Sequence, residues 1–240
     1  ARLFVQTSLT PSPSSAARWI PPQNPSNRSL RCLVARRRQN RTLTTANKNA
    51  AHRSVRPNWF IALPCPAGNC FDALPTCYPV PRRVRLFIAT DLHMTVAFLG
   101  GVAESAARAA FALARQWPSG PLNITLGDVA AMGPTSRFSA LSARVVHGDI
   151  ELTRGIEACR DMMRQAAGLQ PERRTTIPHM TIARPQRRAS ADEREAALNW
   201  ARSLDLANVA VRLDDIALYT WAETRETQLF RIVERQSLQR

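Results

Sequence analysis

From residue 58 onward, short apolar runs alternate with segments of helical period. Trp59 to Leu63 is an unbroken apolar run closed by Pro64, the pattern of a buried strand. Residues 64–81 hold five prolines and read as loop. Arg85 to Ile88 and Leu92 to Leu99 read as extended. Ser105 to Trp117 repeats its apolar residues at helical spacing and is stopped by Pro118 and Gly120. Leu122 to Ala130 and Phe138 to Val146 alternate as strands do. Ile150 to Ala167 carries Leu152, Ile156, Cys159 and Met163 on one helical face, with Gly168 at its exit. Ile177 to Ala183 is extended again, and Ser190 with Glu193 forms a capping box that opens a third helix through Leu204. Val209, Val211 and Leu213 alternate with polar or small residues, and Gln228 to Val233 supplies a last strand. Helices fall between groups of strands rather than after every strand. That order predicts an α+β fold with a largely antiparallel sheet.

The first 57 residues break this picture. They are rich in Ser, Pro, Asn and Arg and sustain neither a 3.6-residue nor a 2-residue apolar period, so no fold is expected there. The chain has 33 Lys plus Arg against 18 Asp plus Glu, for a net charge of +15. Residues 1–57 contribute ten Arg, one Lys and no acid, or +11, and the other 183 residues contribute only +4. Three readings of this extension stand side by side: an organelle transit peptide, an arm that neutralises nucleic-acid phosphate, or an upstream in-frame translation from a GC-rich coding sequence. The division expected is a disordered basic extension over 1–57 and a catalytic domain over 58–240. No run of apolar residues is long enough for a membrane helix. A cytoplasmic monomer is expected, with no membrane contact.

The chemistry enters through a repeat. His93-Met94-Thr95-Val96-Ala97 and His179-Met180-Thr181-Ile182-Ala183 are one pentapeptide with a single Val/Ile exchange, 86 residues apart. The chain has four histidines, and threonine fills about 7% of its positions (17 of 240), so two such pairs with matched flanks are a poor coincidence. On a strand, residues two apart share a face. His93 and Thr95 would therefore point one way while Met94, Val96 and Phe98 enter the core. His179 and Thr181 would repeat this, with Met180 and Ile182 behind. Two such strands facing across a cleft present two imidazoles and two hydroxyls to one small ligand. Imidazole titrates near 6.5, so one ring can donate a proton while the other accepts one. Neutral hydroxyls can hold the non-bridging oxygens of a phosphodiester. No metal or other cofactor is needed for such a step.

The paired H-x-T-x motifs, in the contexts Leu92-HMTVAFLG-Gly101 and Pro178-HMTIARP, resemble the 2H phosphoesterase superfamily. Within it the chain resembles the RNA 2′,3′-cyclic phosphodiesterases, long labelled 2′-5′ RNA ligases. Phe60-Ile61-Ala62-Leu63-Pro64 is similar to that family's opening strand and Ala217-Leu218-Tyr219 to its late strand. The resemblance covers residues 58 to about 235. It implies a two-lobed, pseudo-twofold fold with antiparallel sheets around a central cleft, and hydrolysis of an RNA-terminal 2′,3′-cyclic phosphate to a 2′-phosphate. It implies that His93 is the proton donor to the departing 3′ oxygen, that His179 is the proton acceptor that activates water, and that Thr95 and Thr181 bind the phosphate. Arg184 stands where the family often has an arginine and becomes a candidate RNA contact, although strand parity alone turns it away from His179. The family usually has a helix after its first strand, where this chain has a Pro- and Cys-containing loop. The partner implied is RNA with a cyclic phosphate end. Ligation in the reverse direction, another cyclic-nucleotide substrate, or RNA binding without catalysis through the Arg-rich arm are the competing functions.

Other reactive residues have plainer readings. Cys65, Cys70 and Cys77 lack a C-x-x-C pair and make a poor zinc site. Cys159 reads as core, His147 as a turn position before Gly148, and His52 as part of the arm. Arg187 and Arg188 read as solvated charges.

Overall fold

A computed structural model describes residues 56–66, 71, 79–134, 137–206 and 208–239. The expectations for the basic extension before residue 56 and for most of the loop after Pro66 fall outside these residues. The strands are β1 (Trp59–Pro64), β2 (Val84–Leu86), β3 (His93–Gly100), β4 (Leu122–Met132), β5 (Ala140–His147), β6 (His179–Pro185), β7 (Ala210–Leu213), β8 (Asp215–Trp221) and β9 (Phe230–Ser237). The helices are α1 (Glu104–Phe111), continued by a 3-10 turn over Ala112–Gln116, α2 (Asp149–Ala166) and α3 (Ala191–Ser203). One sheet runs in the order β7-β4-β5-β6-β3-β1-β8-β9, with β2 pairing on β6. All its pairings are antiparallel.

The α+β class and antiparallel pairing match the sequence pattern. The two motif strands, however, do not confront each other from separate sheets. β3 and β6 are neighbours, bridged at the single pair Met94–Met180. To one side of that bridge lie β1, β8 and β9, and to the other β5, β4 and β7. The two lobes are therefore halves of one curled sheet.

Burial explains the central strands. Trp59, Phe60, Ile61, Ala62 and Leu63 are all buried, because β1 is covered on both faces and lies between β3 and β8. Ile216 to Thr220 of β8 are equally buried. That removes the alternation a half-exposed strand would show, so only resemblance pointed to β8. At the edge, β7 alternates cleanly between exposed and buried positions.

The helices cover the apolar side of the sheet: α1 lies against β1 and β8, α2 against β3, and α3 against β4 and β6. Their ends follow local chemistry. Ser190 accepts from the Glu193 amide while the Glu193 carboxylate accepts from the Ser190 amide, which closes the capping box at α3. Gly148 opens α2 at φ 76°, and a Cβ there would lie 2.7 Å from the Asn123 carbonyl oxygen. The turn after His147 therefore needs glycine on two counts. Cys159 is buried on α2, as its helical face predicts.

Candidate active site

The site is built on the two motif strands and inherits its symmetry from them. With Met94 opposite Met180, continuing the antiparallel register sets His93 beside Thr181 and Thr95 beside His179. Met94 and Met180 are completely buried, so the four polar motif residues lie on the opposite face. The four residues that the sequence singled out are brought together.

Each histidine is held in the same way. His93 Nδ1 lies 2.7 Å from the Asp91 carbonyl oxygen, and His179 Nδ1 lies 2.7 Å from the Ile177 carbonyl oxygen. A carbonyl only accepts, so Nδ1 carries the hydrogen in both rings and Nε2 is left to face the cleft. Among the described residues neither Nε2 has a hydrogen-bond partner. Both rings thus offer the same reactive atom from symmetry-related positions.

Both strands also carry a β-bulge at the same place. Thr95 pairs with Ala62 and Ala97 with Ile61, leaving Val96 as the extra residue. Thr181 pairs with Ser142 and Ala183 with Leu141, leaving Ile182 extra. A bulge puts two successive side chains on one face and reverses parity beyond it. Val96 and Ala97 are both buried, as are Ile182 and Ala183. This corrects two expectations. Phe98 does not enter the core but is 48% exposed. Arg184 is turned back to the face of His179, where strict alternation would have pointed it away. Its guanidinium lies 5.5 Å over the Phe87 ring, and its charge acts on His93.

The two halves differ in what surrounds the shared frame. His93 is enclosed by rings, with centroids at 4.7 Å for Phe60, 5.3 Å for Tyr219 and 5.5 Å for Phe230. Burial, followed by the charges of Arg184 and His179, pushes its pKa down to about 4. Beneath it, the Asp91 carboxylate is 1% exposed and accepts from the amides of Leu229 and Phe230, fixing the start of β9 and hence one wall of the ring cage. Among the described residues no aromatic ring stands against His179. Its register neighbour on β5 is the exposed Arg144.

The threonines differ too. Thr95 is exposed beside Ala62. Thr181 is 9% exposed, and its hydroxyl lies 3.1 Å from that of the fully buried Ser142. With Ser142 as donor, the Thr181 hydrogen is free for a ligand. Sequence reasoning missed Ser142, Arg144 and the ring cage, because each becomes a neighbour only through strand register. Their one linear signal was a polar pair, Ser142 and Arg144, spaced two apart on a strand.

Cys65 is buried, donates its thiol weakly to the Leu63 carbonyl oxygen at 3.6 Å and has its pKa raised by burial. His147 ends β5 before the Gly148 turn. Among the described residues no cluster of three or more His, Cys, Asp or Glu could hold a metal ion, and no helix is long and apolar enough to cross a membrane.

A family model described as the 2′-5′ RNA ligase superfamily matches residues 85–225, more than half of the chain. An RNA 2′,3′-cyclic phosphodiesterase of Bacillus subtilis (strain 168) is 28% identical over 137 residues, which are 54% of this chain and 72% of that one. The fold is similar to that of E. coli LigT complexed with 3′-AMP, with a TM-score of 0.59 at 20% identity, over 77% of this chain and all of LigT. It is also similar to TT0787 of Thermus thermophilus, with a TM-score of 0.56 at 18% identity, over 75% of this chain and 97% of that one.

Proposed function

This chain belongs to the 2′-5′ RNA ligase superfamily, and from that premise we propose that it hydrolyses a 2′,3′-cyclic phosphate at the end of an RNA to a 2′-phosphate. The observation that carries the reading is the matched pair of imidazoles, each with Nδ1 held by a carbonyl and each set by the register beside the other motif's threonine. Water attacks phosphorus in line with the departing 3′ oxygen. His179 Nε2 takes the proton from that water, and His93 Nε2–H gives a proton to the 3′ oxygen as the P–O3′ bond breaks. The Thr95 and Thr181 hydroxyls donate to the two non-bridging oxygens, where charge builds in the transition state. Arg184 adds a positive charge on the same face.

His93 is largely neutral at pH 7 in the free protein, since its pKa is about 4. It fills the donor role because an anionic phosphate opposes the charges of Arg184 and His179 and draws a proton onto the ring. A cytoplasmic monomer acting on RNA remains the setting we propose, with 58–240 as the catalytic part.

The test is an oligoribonucleotide ending in a 2′,3′-cyclic phosphate, incubated with the protein in EDTA. The expected result is a 2′-phosphate end formed at the same rate with and without chelator. Loss of activity on chelation, restored by a divalent metal, would overturn the two-histidine mechanism.

A further inference from the structure

Three arginines stand together beside the motif residues. Arg85 on β2 is the register partner of Arg184 on β6. Arg225 comes from the turn between β8 and β9, and Arg85 donates to the carbonyl oxygens of both Arg225 and Glu226. Two of the three guanidiniums lie on aromatic rings, Arg184 on Phe87 at 5.5 Å and Arg225 on Trp221 at 4.6 Å. A ring beneath a guanidinium engages its face and takes no N–H group, so those groups can still serve a second partner. Among the described residues none of the three makes an ion pair.

Such a cluster is costly without an anion. Burial, and then the charge of Arg225, lowers the pKa of Arg184; burial, and then the charge of Arg85, lowers that of Arg225. The acid that opposes Arg225 and Arg85 is Asp91, whose carboxylate already accepts from the amides of Leu229 and Phe230. The position is equally informative. The Phe87 and Phe230 ring centroids are 6.1 Å apart, and those of Phe230 and His93 are 5.5 Å apart, so a line of rings links the cluster to the imidazole. The charge of Arg184 acts on His93, whereas that of Arg225 is not among those that do.

We propose that Arg85 and Arg225 form a second phosphate subsite, which takes the phosphodiester on the 5′ side of the terminal nucleotide. The proposal rests on the hydrolase reading and sharpens it: a strand of at least two nucleotides is preferred over a cyclic mononucleotide. Guanidinium N–H groups match phosphate oxygens in pairs, which fixes the strand as well as attracting it. The extension of 1–57 is not required for this discrimination, because Arg85 lies on β2 and Arg225 on the turn that joins β8 to β9.

The test compares a nucleoside 2′,3′-cyclic phosphate with a dinucleotide that ends in the same cyclic nucleotide, using the full chain and its Arg225→Ala and Arg225→Lys variants. The dinucleotide should be preferred by the unaltered chain. Arg225→Ala should lower its kcat/KM by about tenfold, while the mononucleotide changes less than twofold. The slope of log(kcat/KM) against log[salt] for the dinucleotide should flatten by about 0.7, one phosphate contact on a single strand. Arg225→Lys should recover part of the rate, since it restores charge without the planar fork. Equal losses on both substrates, or no loss on either, would overturn the subsite. Failure of the unaltered chain to hydrolyse either substrate would instead overturn the hydrolase reading on which it stands.

Discussion

His93 and His179 have the same neighbours in sequence and the same backbone hydrogen bond, yet only His93 sits inside a ring cage. The cage strips water from the imidazole and favours its neutral form, and the charges of Arg184 and His179 push in the same direction. The proton affinity of His93 is therefore set by what occupies the cleft. In the free protein its ring should titrate near pH 4, well below the ordinary 6.5. A bound nucleoside 2′-phosphate places negative charge against it, which favours the protonated form and raises the pKa. Proton-detected NMR titration of His93 with and without that product checks both points. A free ring that titrates at 6.5, or one that does not move upward when the product binds, would remove the basis for a proton drawn in by substrate. The acid limb of kcat/KM should likewise lie nearer pH 4 than 6.5, because that parameter reports the free protein.

At the scale of elements, β1 stands to β3 as β5 stands to β6, and the bulges at Val96 and Ile182 fall at equivalent points. The motif repeat and its helical and strand surroundings were legible in the sequence because periodicity records burial on one face. The bulges were not, since an extra residue leaves the alternation locally plausible and shows itself only in the partner's register. That is why Phe98 and Arg184 were misread by parity. Nor was β8 legible by alternation, being buried on both faces. The equivalence of β1 and β5 also isolates one difference: Ala62 lies beside Thr95 where Ser142 lies beside Thr181. If Ser142 orients the Thr181 hydroxyl toward phosphate, Ser142→Ala should lower kcat about three- to tenfold with little change in KM, in line with a hydrogen bond of about 1 kcal/mol. Restoring a hydroxyl with Ser142→Thr should recover part of kcat. A loss confined to KM, or a loss of thermal stability with kcat per folded molecule unchanged, would make the pair a packing contact.

Across the whole molecule, the sheet has a single bridge where its halves meet, and that bridge sets each half's histidine beside the other half's threonine. One phosphate at this point would engage both halves at once. The two imidazoles then act as a unit, one giving a proton and one taking it in the same displacement, and neither retains its full value alone. Replacing either His93 or His179 by Ala should lower turnover by about 10²–10⁴-fold. The double replacement should be little worse than the more damaging single one. The two roles separate with a phosphodiester whose leaving group is an acidic phenol, because such a group departs without a proton. His93→Ala should recover most of its lost rate on that ester if His93 is the donor, whereas His179→Ala should not, since water still needs its base. Recovery by His179→Ala instead would exchange the two roles, a reversal that the pseudo-twofold frame allows. Losses that simply multiply in the double variant would mean that the imidazoles serve separate steps, and the convergence of two halves on one phosphorus would be lost with them.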